Sequence, residues 1–190
     1  MGEAHNGRLA QPWDGGIKNS YDDYDHKIPV LILSSGVVQA AAGGQFALIL
    51  KSDGSAWSFG DNWNGQLADG NSLTSREVPY RLLDENVSQL SAGWPFGGAL
   101  MNDGSLHMFG GNRKGQLGDG TTTDRNRTTE ILSSGVAQLA TGGSHSIILK
   151  EDGSLWTFGS GEFGQLGNGY SGGGSDFDVG IDLNSPFQAV

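Results

Sequence analysis

Four short motifs recur along this chain at a nearly constant spacing. Each is found three times, with 50 residues between the first and second copies and 49 between the second and third. Self-similarity at a fixed period indicates a repeat architecture, in which each copy is one supersecondary unit that buries its apolar faces by stacking on its neighbours. The repeated residues are Gly43, Gly93 and Gly142; Asp53-Gly54, Asp103-Gly104 and Asp152-Gly153; Phe59-Gly60, Phe109-Gly110 and Phe158-Gly159; and Gly65-Gln66-Leu67, Gly115-Gln116-Leu117 and Gly164-Gln165-Leu166.

Each period reads as β-structure. The stretch "GVAQLATGG" (135–143) predicts a strand, and "HSIILKEDGSLWTFG" (145–159) predicts two strands around Asp152-Gly153, which indicates a hairpin with a two-residue turn. A glycine turn and a longer polar connection then lead to an outer strand of the type "EILSSGV". The segment "FALILK" (46–51) is apolar on both faces, as expected for a strand between two other sheets. Four strands in about 50 residues fit a propeller blade or one turn of a β-solenoid.

Composition agrees with many short strands and restricts the function. Glycine accounts for 33 of 190 residues, which is more than double its usual share of roughly 7%. The formal charge is −10, from 21 acidic and 11 basic residues, and no cluster of Lys and Arg stands out. Net charge therefore argues against nucleic acid and anionic membrane as partners. The absence of cysteine excludes disulfides, thiolate catalysis and cysteine metal sites.

No targeting segment is recognisable. The start "MGEAHNGRLAQPWDGG" has no apolar core of a signal peptide, and no run approaches the roughly 18 apolar residues of a membrane helix. We therefore expect a cytoplasmic protein, with a secreted or virion-associated one as the alternative for a bacterial or phage source.

One stretch imitates a nucleotide-binding turn. Gly159, Gly161 and Gly164 have the spacing G-x-G-x-x-G after a strand-like run. A dinucleotide site needs a helix immediately afterwards, whose N-terminus holds the pyrophosphate, and the glycine-rich continuation cannot form one. Asn62 and Asn112 occupy the place of Gly161 in the other copies. The stretch is therefore predicted to be a structural turn, and no cofactor is expected.

No catalytic or metal site is predicted either. Ser144, His145 and Asp152 have the residue types of a hydrolase triad, but adjacent residues of a strand point to opposite faces. Acidic segments at 22–26 and 176–182 lack the regular ligand register of a calcium loop, so they are predicted to be solvated loops. The aromatic residues fixed by the repeat are predicted to pack between sheets; they are Trp57, Trp156, Phe59, Phe109 and Phe158.

The third copy resembles the regulator of chromosome condensation repeat. The matching residues are Ala140-Thr141-Gly142-Gly143, His145, Leu149, Asp152-Gly153, Trp156, Phe158-Gly159 and Gly164-Gln165-Leu166-Gly167. The second copy departs from it, with Trp94 and Pro95 after the glycine. The resemblance implies a seven-bladed β-propeller. The resemblance also implies two possible activities, which are guanine-nucleotide exchange on a small GTPase and substrate recruitment within a larger ubiquitin ligase.

The fold class expected is therefore all-β, a partial β-propeller of four-stranded antiparallel blades. We assign 1–36 to a partial blade with an inserted loop, 37–86, 87–135 and 136–185 to whole blades, and 186–190 to the start of a further blade. Three whole and two partial blades of a seven-bladed parent would make the chain a piece of a longer propeller.

A protein-binding loop is predicted in the first segment. The connection before Val37 is about eight residues longer than its counterpart before Val87, and it contains Trp13, Tyr21 and Tyr24. Such residues on a scaffold loop are typical of binding hot spots. The leading hypothesis is a non-catalytic protein–protein interaction scaffold. The alternatives are an exchange factor, or part of one, for a small GTPase, and the recruiting propeller segment of a ubiquitin ligase.

Overall fold

The computed structural model describes residues 28–169 and 183–188, and within these ranges the regular structure is entirely β-strand. None of the described segments forms a helix that could span a membrane. The strands are β1 (Val37–Ala42), β2 (Phe46–Lys51), β3 (Ala56–Gly60), β4 (Arg76–Leu83), β5 (Val87–Ala92), β6 (Phe96–Met101), β7 (Leu106–Gly110), β8 (Arg125–Leu132), β9 (Val136–Thr141), β10 (His145–Lys150), β11 (Leu155–Gly159) and β12 (Leu183–Gln188).

The strands form three antiparallel sheets of four strands each. Every sheet is a simple meander, in which consecutive strands are neighbours: β1 to β4, β5 to β8 and β9 to β12. The innermost strands, β1, β5 and β9, contact one another in chain order. This arrangement confirms the all-β class and the four-stranded antiparallel blades of a partial propeller.

The end of the third sheet differs from the assignment made from the sequence. Residues 186–190 were assigned to a further blade, but Pro186 lies within β12, which pairs with β11 through Thr157 with Phe187 and Trp156 with Gln188. Counting by a fixed period fails here because the connection from β11 to β12 is longer than the corresponding connections of the first two sheets. β12 is an outer edge strand, the position in a sheet where proline is tolerated.

The Asp-Gly hairpins have three-residue connections, so the two-residue prediction was wrong. Lys51 N donates to Ser55 O at 2.9 Å and Gly54 N donates to Lys51 O at 2.9 Å, which leaves Ser52, Asp53 and Gly54 in the loop. Gly54 has φ 78°, the left-handed conformation that a three-residue hairpin needs at this position. The side chain of Asp53 accepts hydrogen bonds from both N and Oγ of Ser55, and these lower its pKa.

The core lies between the sheets. Between the first and second sheets, Phe46, Leu48 and Leu50 pack against Val87 and Leu90. The equivalent cluster between the second and third sheets contains Phe96, Leu100, Leu106, Met108, Leu117, Val136, Leu139, Ile148 and Phe158. The second sheet is therefore covered on both faces, which explains why β6 is buried along nearly its whole length.

Glycine is needed where the innermost turns of successive sheets meet. A Cβ at Gly43 would lie 2.7 Å from the carbonyl oxygen of Gly93, and a Cβ at Gly93 would collide with the carbonyl oxygen of Gly142. The ring three residues further on covers each glycine, as Phe46 covers Gly43 and His145 covers Gly142. The repeated glycine is thus a point of close approach between sheets.

Candidate protein-binding surface

The connections between strands form two rims. Because neighbouring strands are antiparallel, residues 43–45, 61–75, 93–95, 111–124, 142–144 and 160–169 lie at one end of the sheets, which we call the upper rim. The Asp-Gly turns and the connections from one sheet to the next lie at the other end, the lower rim. Any binding surface made of loops must be sought on one of these two rims.

Large aromatic side chains are exposed on the upper rim. Trp63 is 63% exposed, Trp94 is 59% exposed and Phe163 is 81% exposed. The repeat does not fix these positions, since Arg113 and Glu162 stand where Trp63 stands. Aromatic side chains that the repeat does not require for packing are candidates for contacts with another molecule.

Trp94 and the turn that carries Trp63 belong to one patch. The indole of Trp94 lies over Gly44, where a Cβ would be 2.6 Å from Nε1. Pro95 lies against Gly111, and a Cβ at Gly111 would also be 3.5 Å from Cβ of Asn64. The patch therefore combines the inner turn of the second sheet with loops of the first and second. We call it the Trp63–Trp94 surface.

The loop that carries Trp63 is built around a buried carboxylate. Asp69 has a fully buried side chain and receives Nε and Nη2 of Arg76, each at 2.6 Å. Asn62 donates Nδ2 to Asp69 at 3.0 Å and accepts Leu67 N at 3.0 Å. Burial alone would raise the pKa of Asp69, but hydrogen bonds from Asn71, Arg76 and Asn62 outweigh it and hold that pKa below its ordinary value.

The second sheet repeats this construction. Asn112 donates Nδ2 to Asp119 at 3.0 Å and accepts Leu117 N at 3.0 Å. Arg125 donates Nε at 2.7 Å and Nη2 at 2.6 Å to the same carboxylate. Burial would raise the pKa of Asp119, but hydrogen bonds from Thr121, Arg125 and Asn112 lower it overall. Each of the two loops therefore has its own Asn–Asp–Arg set with the same arrangement around a buried carboxylate, although the neighbouring sequence differs.

The Gly-Gln-Leu triplet fixes the tip of each loop. The carbonyl oxygen of the glutamine side chain accepts a backbone N–H two residues earlier, at 2.8 Å from Asn64 to Gln66 and 2.7 Å from Phe163 to Gln165. The following leucine is fully buried in all three copies. The triplet thus sets the backbone from which the variable aromatic residues project.

The first loop is also held by the neighbouring sheet. Gly70 N donates to Asn126 O at 2.8 Å, and Asn126 Nδ2 donates to Gly70 O at 3.1 Å. Asn64 Nδ2 reaches Asp124 Oδ2 at 3.2 Å. The Trp63–Trp94 surface therefore lies on backbone that hydrogen bonds fix from two sheets.

The lower rim is polar and acidic. A groove of about 480 Å³ between the first and second sheets is lined by Lys51, Asp53, Glu85, Asn86 and Asn102, among others. Within the described ranges, no group of three or more His, Cys, Asp or Glu side chains could hold a metal ion.

The structure does not bring the triad residue types together. Ser144 precedes β10 and Asp152 follows it, so they lie at opposite rims. The ring of His145 is half-buried over Gly142, and this burial lowers its pKa. Asp152 accepts both N and Oγ of Ser154 within its own turn. Each of these residues has a structural role where it stands.

The aromatic residues that the repeat fixes differ in burial. Phe109 and Phe158 are buried between sheets, as predicted, whereas Phe59 is buried on the other side of the first sheet, under Ile32 and Leu33. Trp57 and Trp156 are half-buried, with the ammonium groups of Lys51 and Lys150 at 4.1 and 4.3 Å from the ring centroids.

Trp13, Tyr21 and Tyr24 lie outside the described residues. The sequence analysis did not select Trp63 or Phe163. Each is an aromatic residue at a position where the other copies have a different residue, and this difference could have identified them.

The comparisons with known proteins agree with this fold. Two family profiles, both described as the regulator of chromosome condensation (RCC1) repeat, match residues 37–66 and 136–165 and residues 103–149 respectively. A search of the curated proteins finds no match.

Solved structures similar to this chain are propellers of greater length. The crystal structure of human WBSCR16 is 25% identical with a TM-score of 0.73, covering 95% of this chain and 44% of that one. Yeast RCC1 (Prp20), solved bound to Kap60, is 22% identical with a TM-score of 0.68, covering 82% of this chain and 37% of that one. Prp20p from Saccharomyces cerevisiae, in a study of its binding to Gsp1p and histones, is 22% identical with a TM-score of 0.70, covering 82% and 38%.

This chain thus spans less than half the length of these relatives. The repeated motifs, the three four-stranded sheets and the profile matches agree with one another. The chain belongs to the regulator of chromosome condensation (RCC1) repeat family of β-propellers.

Proposed function

We propose that this protein is a non-catalytic scaffold that binds a protein partner through the Trp63–Trp94 surface. The exposure of two tryptophans on backbone fixed by buried polar contacts is the observation that carries the proposal. Tryptophan is among the residues that contribute most to binding free energy, because burying its large ring removes much apolar area from water.

Rigid loops favour binding here. The side chain of Asp69 is fully buried and is paired with Arg76, so the first loop is ordered before any partner arrives. A preformed loop does not lose conformational entropy on association, and more of the contact energy then appears as affinity. The partner should present an apolar surface wide enough to cover both indoles.

The two rims differ in charge. The upper rim carries exposed side chains of both signs, among them Arg113 and Glu162, and Arg127 lies against Gly70 at its outer margin. The lower rim carries acidic groups, including Asp53, Glu85 and Asp152. A partner with acidic groups around an apolar centre would therefore approach the upper rim in preference to the lower one.

Guanine-nucleotide exchange on a small GTPase is the second candidate. The similarity to Prp20p, whose binding to Gsp1p has been studied, supports it at the level of the fold. Exchange requires tight binding of the GTPase rather than catalytic side chains, so the described surface is compatible with it. A nucleotide-release assay with a panel of small GTPases should show faster release if this candidate is correct, and unchanged release at high protein excess would exclude it.

The scaffold proposal is tested by comparing the proteins that wild-type and variant chains bind. Trp63→Ala/Trp94→Ala should lose specific partners, and the loss should be reproduced with each partner purified. The matched control is Glu85→Ala/Asp152→Ala on the lower rim, which should retain them. Retention of every partner by the tryptophan variant, with its fold intact by circular dichroism, would place the binding surface elsewhere.

A further inference from the structure

A glutamine side chain joins the first sheet to the second. Gln39 on β1 donates Nε2 to Leu90 O at 2.8 Å, and its Oε1 accepts Leu90 N at 2.9 Å. The carboxamide thus pairs with both backbone groups of one residue of β5, as a neighbouring strand would. This contact caps the exposed edge of an innermost strand.

The same contact joins the second sheet to the third. Gln89 on β5 donates Nε2 to Leu139 O at 2.9 Å, and its Oε1 accepts Leu139 N at 3.0 Å. Each sheet therefore extends one carboxamide to the innermost strand of the sheet that follows.

Gln138 is the third member of this series. It pairs with Leu149 in its sheet as Gln39 pairs with Leu50 and Gln89 with Leu100. Gln138 is exposed, and its carboxamide makes no hydrogen bond within residues 28–169 and 183–188. The side chain occupies the position from which the other two clamp a following strand.

Within the described part of the chain, no further sheet covers the apolar residues around Gln138. Leu155 is 43% exposed, whereas Ala56 and Leu106 at the same position of the first two sheets are fully buried. Ile147 and Leu149 are only half-buried. We call this face, made of Gln138, Ile147, Leu149 and Leu155, the leading face.

The opposite side of the first sheet has the complementary groups. Val37 is 41% exposed, whereas Val87 and Val136 are 4% and 2% exposed. Ala40 is exposed and pairs with Ile49 in the register in which Leu90 pairs with Ala99. The backbone N–H and C=O of Ala40 are therefore equivalent in position to those of Leu90, to which the carboxamide of Gln39 hydrogen-bonds. We call this side of the first sheet, which carries Val37 and Ala40 on its innermost strand, the trailing face.

The outer part of the trailing face is already filled. Ile32 and Leu33 pack against Ile49 and Phe59. Equivalent residues close the two junctions inside the chain; they are Leu82 and Leu83 at the first and Ile131 and Leu132 at the second. A sheet that docks on the trailing face therefore needs to cover only its inner strands.

We propose that the leading face of one copy of this chain binds the trailing face of a second copy, with Gln138 clamping the backbone of Ala40. The leading face has the residues that one sheet contributes to each junction inside the chain, and the trailing face has those that the following sheet contributes. The two faces are therefore complementary to each other. The contact is heterologous, and it closes into a ring or continues as a chain of copies.

The test measures the mass of the 190-residue chain in solution by light scattering. Wild type should show masses of two or more copies that rise with concentration. Gln138→Ala/Leu155→Asp disables the leading face, and Ala40→Asp disables the trailing face; each variant should be monomeric at the same concentration. Gln138→Ala alone should weaken association about fivefold to tenfold, from the loss of two hydrogen bonds.

Mixing the two single-face variants gives the decisive result. One retains the trailing face and the other the leading face, so the mixture should form a one-to-one dimer and nothing larger. The matched control is Val78→Asp, an exposed apolar position of β4 outside both faces, which should associate like wild type.

Circular dichroism on each variant confirms that it is folded. A wild-type monomer at the highest soluble concentration, single-face variants that associate like wild type, or a mixture of folded variants that stays monomeric would each overturn the proposal.

Discussion

The loops of the first two sheets and the loop of the third sheet occupy the same place in the repeat, but they differ in how they are built. The first two enclose a buried carboxylate held by an asparagine and an arginine. In the third, Gly161 and Asn168 stand at the positions of the asparagine and aspartate, and Leu183 pairs with Gly159 where arginine pairs in the other sheets. At these three described positions, the third loop therefore has none of the residues of the set.

The energetics of buried charge explain why all three residues of the set differ together in the third loop. An aspartate without its arginine would be a buried, unpaired anion, and an arginine without its aspartate would lose its partner, so single replacements are costly. Replacing all three residues removes the charges together. The difference teaches that the repeated triplet fixes the tip of all three loops, whereas the local polar set adds a second constraint in the first two only.

Breaking the set in the first loop should have the largest effect. Arg76→Leu leaves Asp69 buried without its cation, and we expect the free energy of unfolding to fall by about 3 kcal/mol. Urea denaturation measures the change. The control Arg113→Leu removes an exposed arginine of the same rim and should change stability by less than about 0.5 kcal/mol. Equal losses in the two variants would show that the buried pair contributes nothing specific.

Completing the change should recover stability. Asp69→Asn in the Arg76→Leu background produces two of the three residues found in the third loop. It removes the buried charge that Arg76→Leu leaves unpaired, so the double variant should be more stable than Arg76→Leu alone by about 1–3 kcal/mol. A double-mutant cycle in urea gives this coupling. Additive losses from Arg76→Leu and Asp69→Asn would contradict the view that the residues act as one set.

The comparison also shows what the sequence could predict. The sheets, their strand count and the glycines at the inner turns follow from periodic spacing, because close backbone approach and left-handed φ leave few alternatives to glycine. The position of β12 did not follow, since a longer connection shifts a strand without changing its pattern. Exposure of Trp63 depends on how a loop packs across two sheets, and a period of 49–50 residues contains no information about that packing.

Acid should weaken the first two loops more than the third. Hydrogen bonds and the arginines hold the pKa values of Asp69 and Asp119 below 3.8 despite burial, whereas the unfolded chain protonates near that value. Their stabilisation is therefore complete above about pH 3.8 and is lost as pH falls through the lower folded-state pKa values. Unfolding measured between neutral and acidic pH should show a shallower acid loss in Asp69→Asn/Asp119→Asn than in wild type. An identical slope would assign the acid sensitivity to other carboxylates.

The inner turn of the third sheet should give the smallest effect. His145 stands where Phe46 and Phe96 stand, and burial depresses its pKa below 6.5, so the unfolded chain binds more protons below that pH. Its stabilising neutral form is fully present above about pH 6.5, and stability is lost as pH falls below it. His145→Phe should remove this dependence and add less than about 1 kcal/mol, because the site is only half-buried. Denaturation on both sides of that pH measures it, and an unchanged pH dependence in His145→Phe would show that another group titrates.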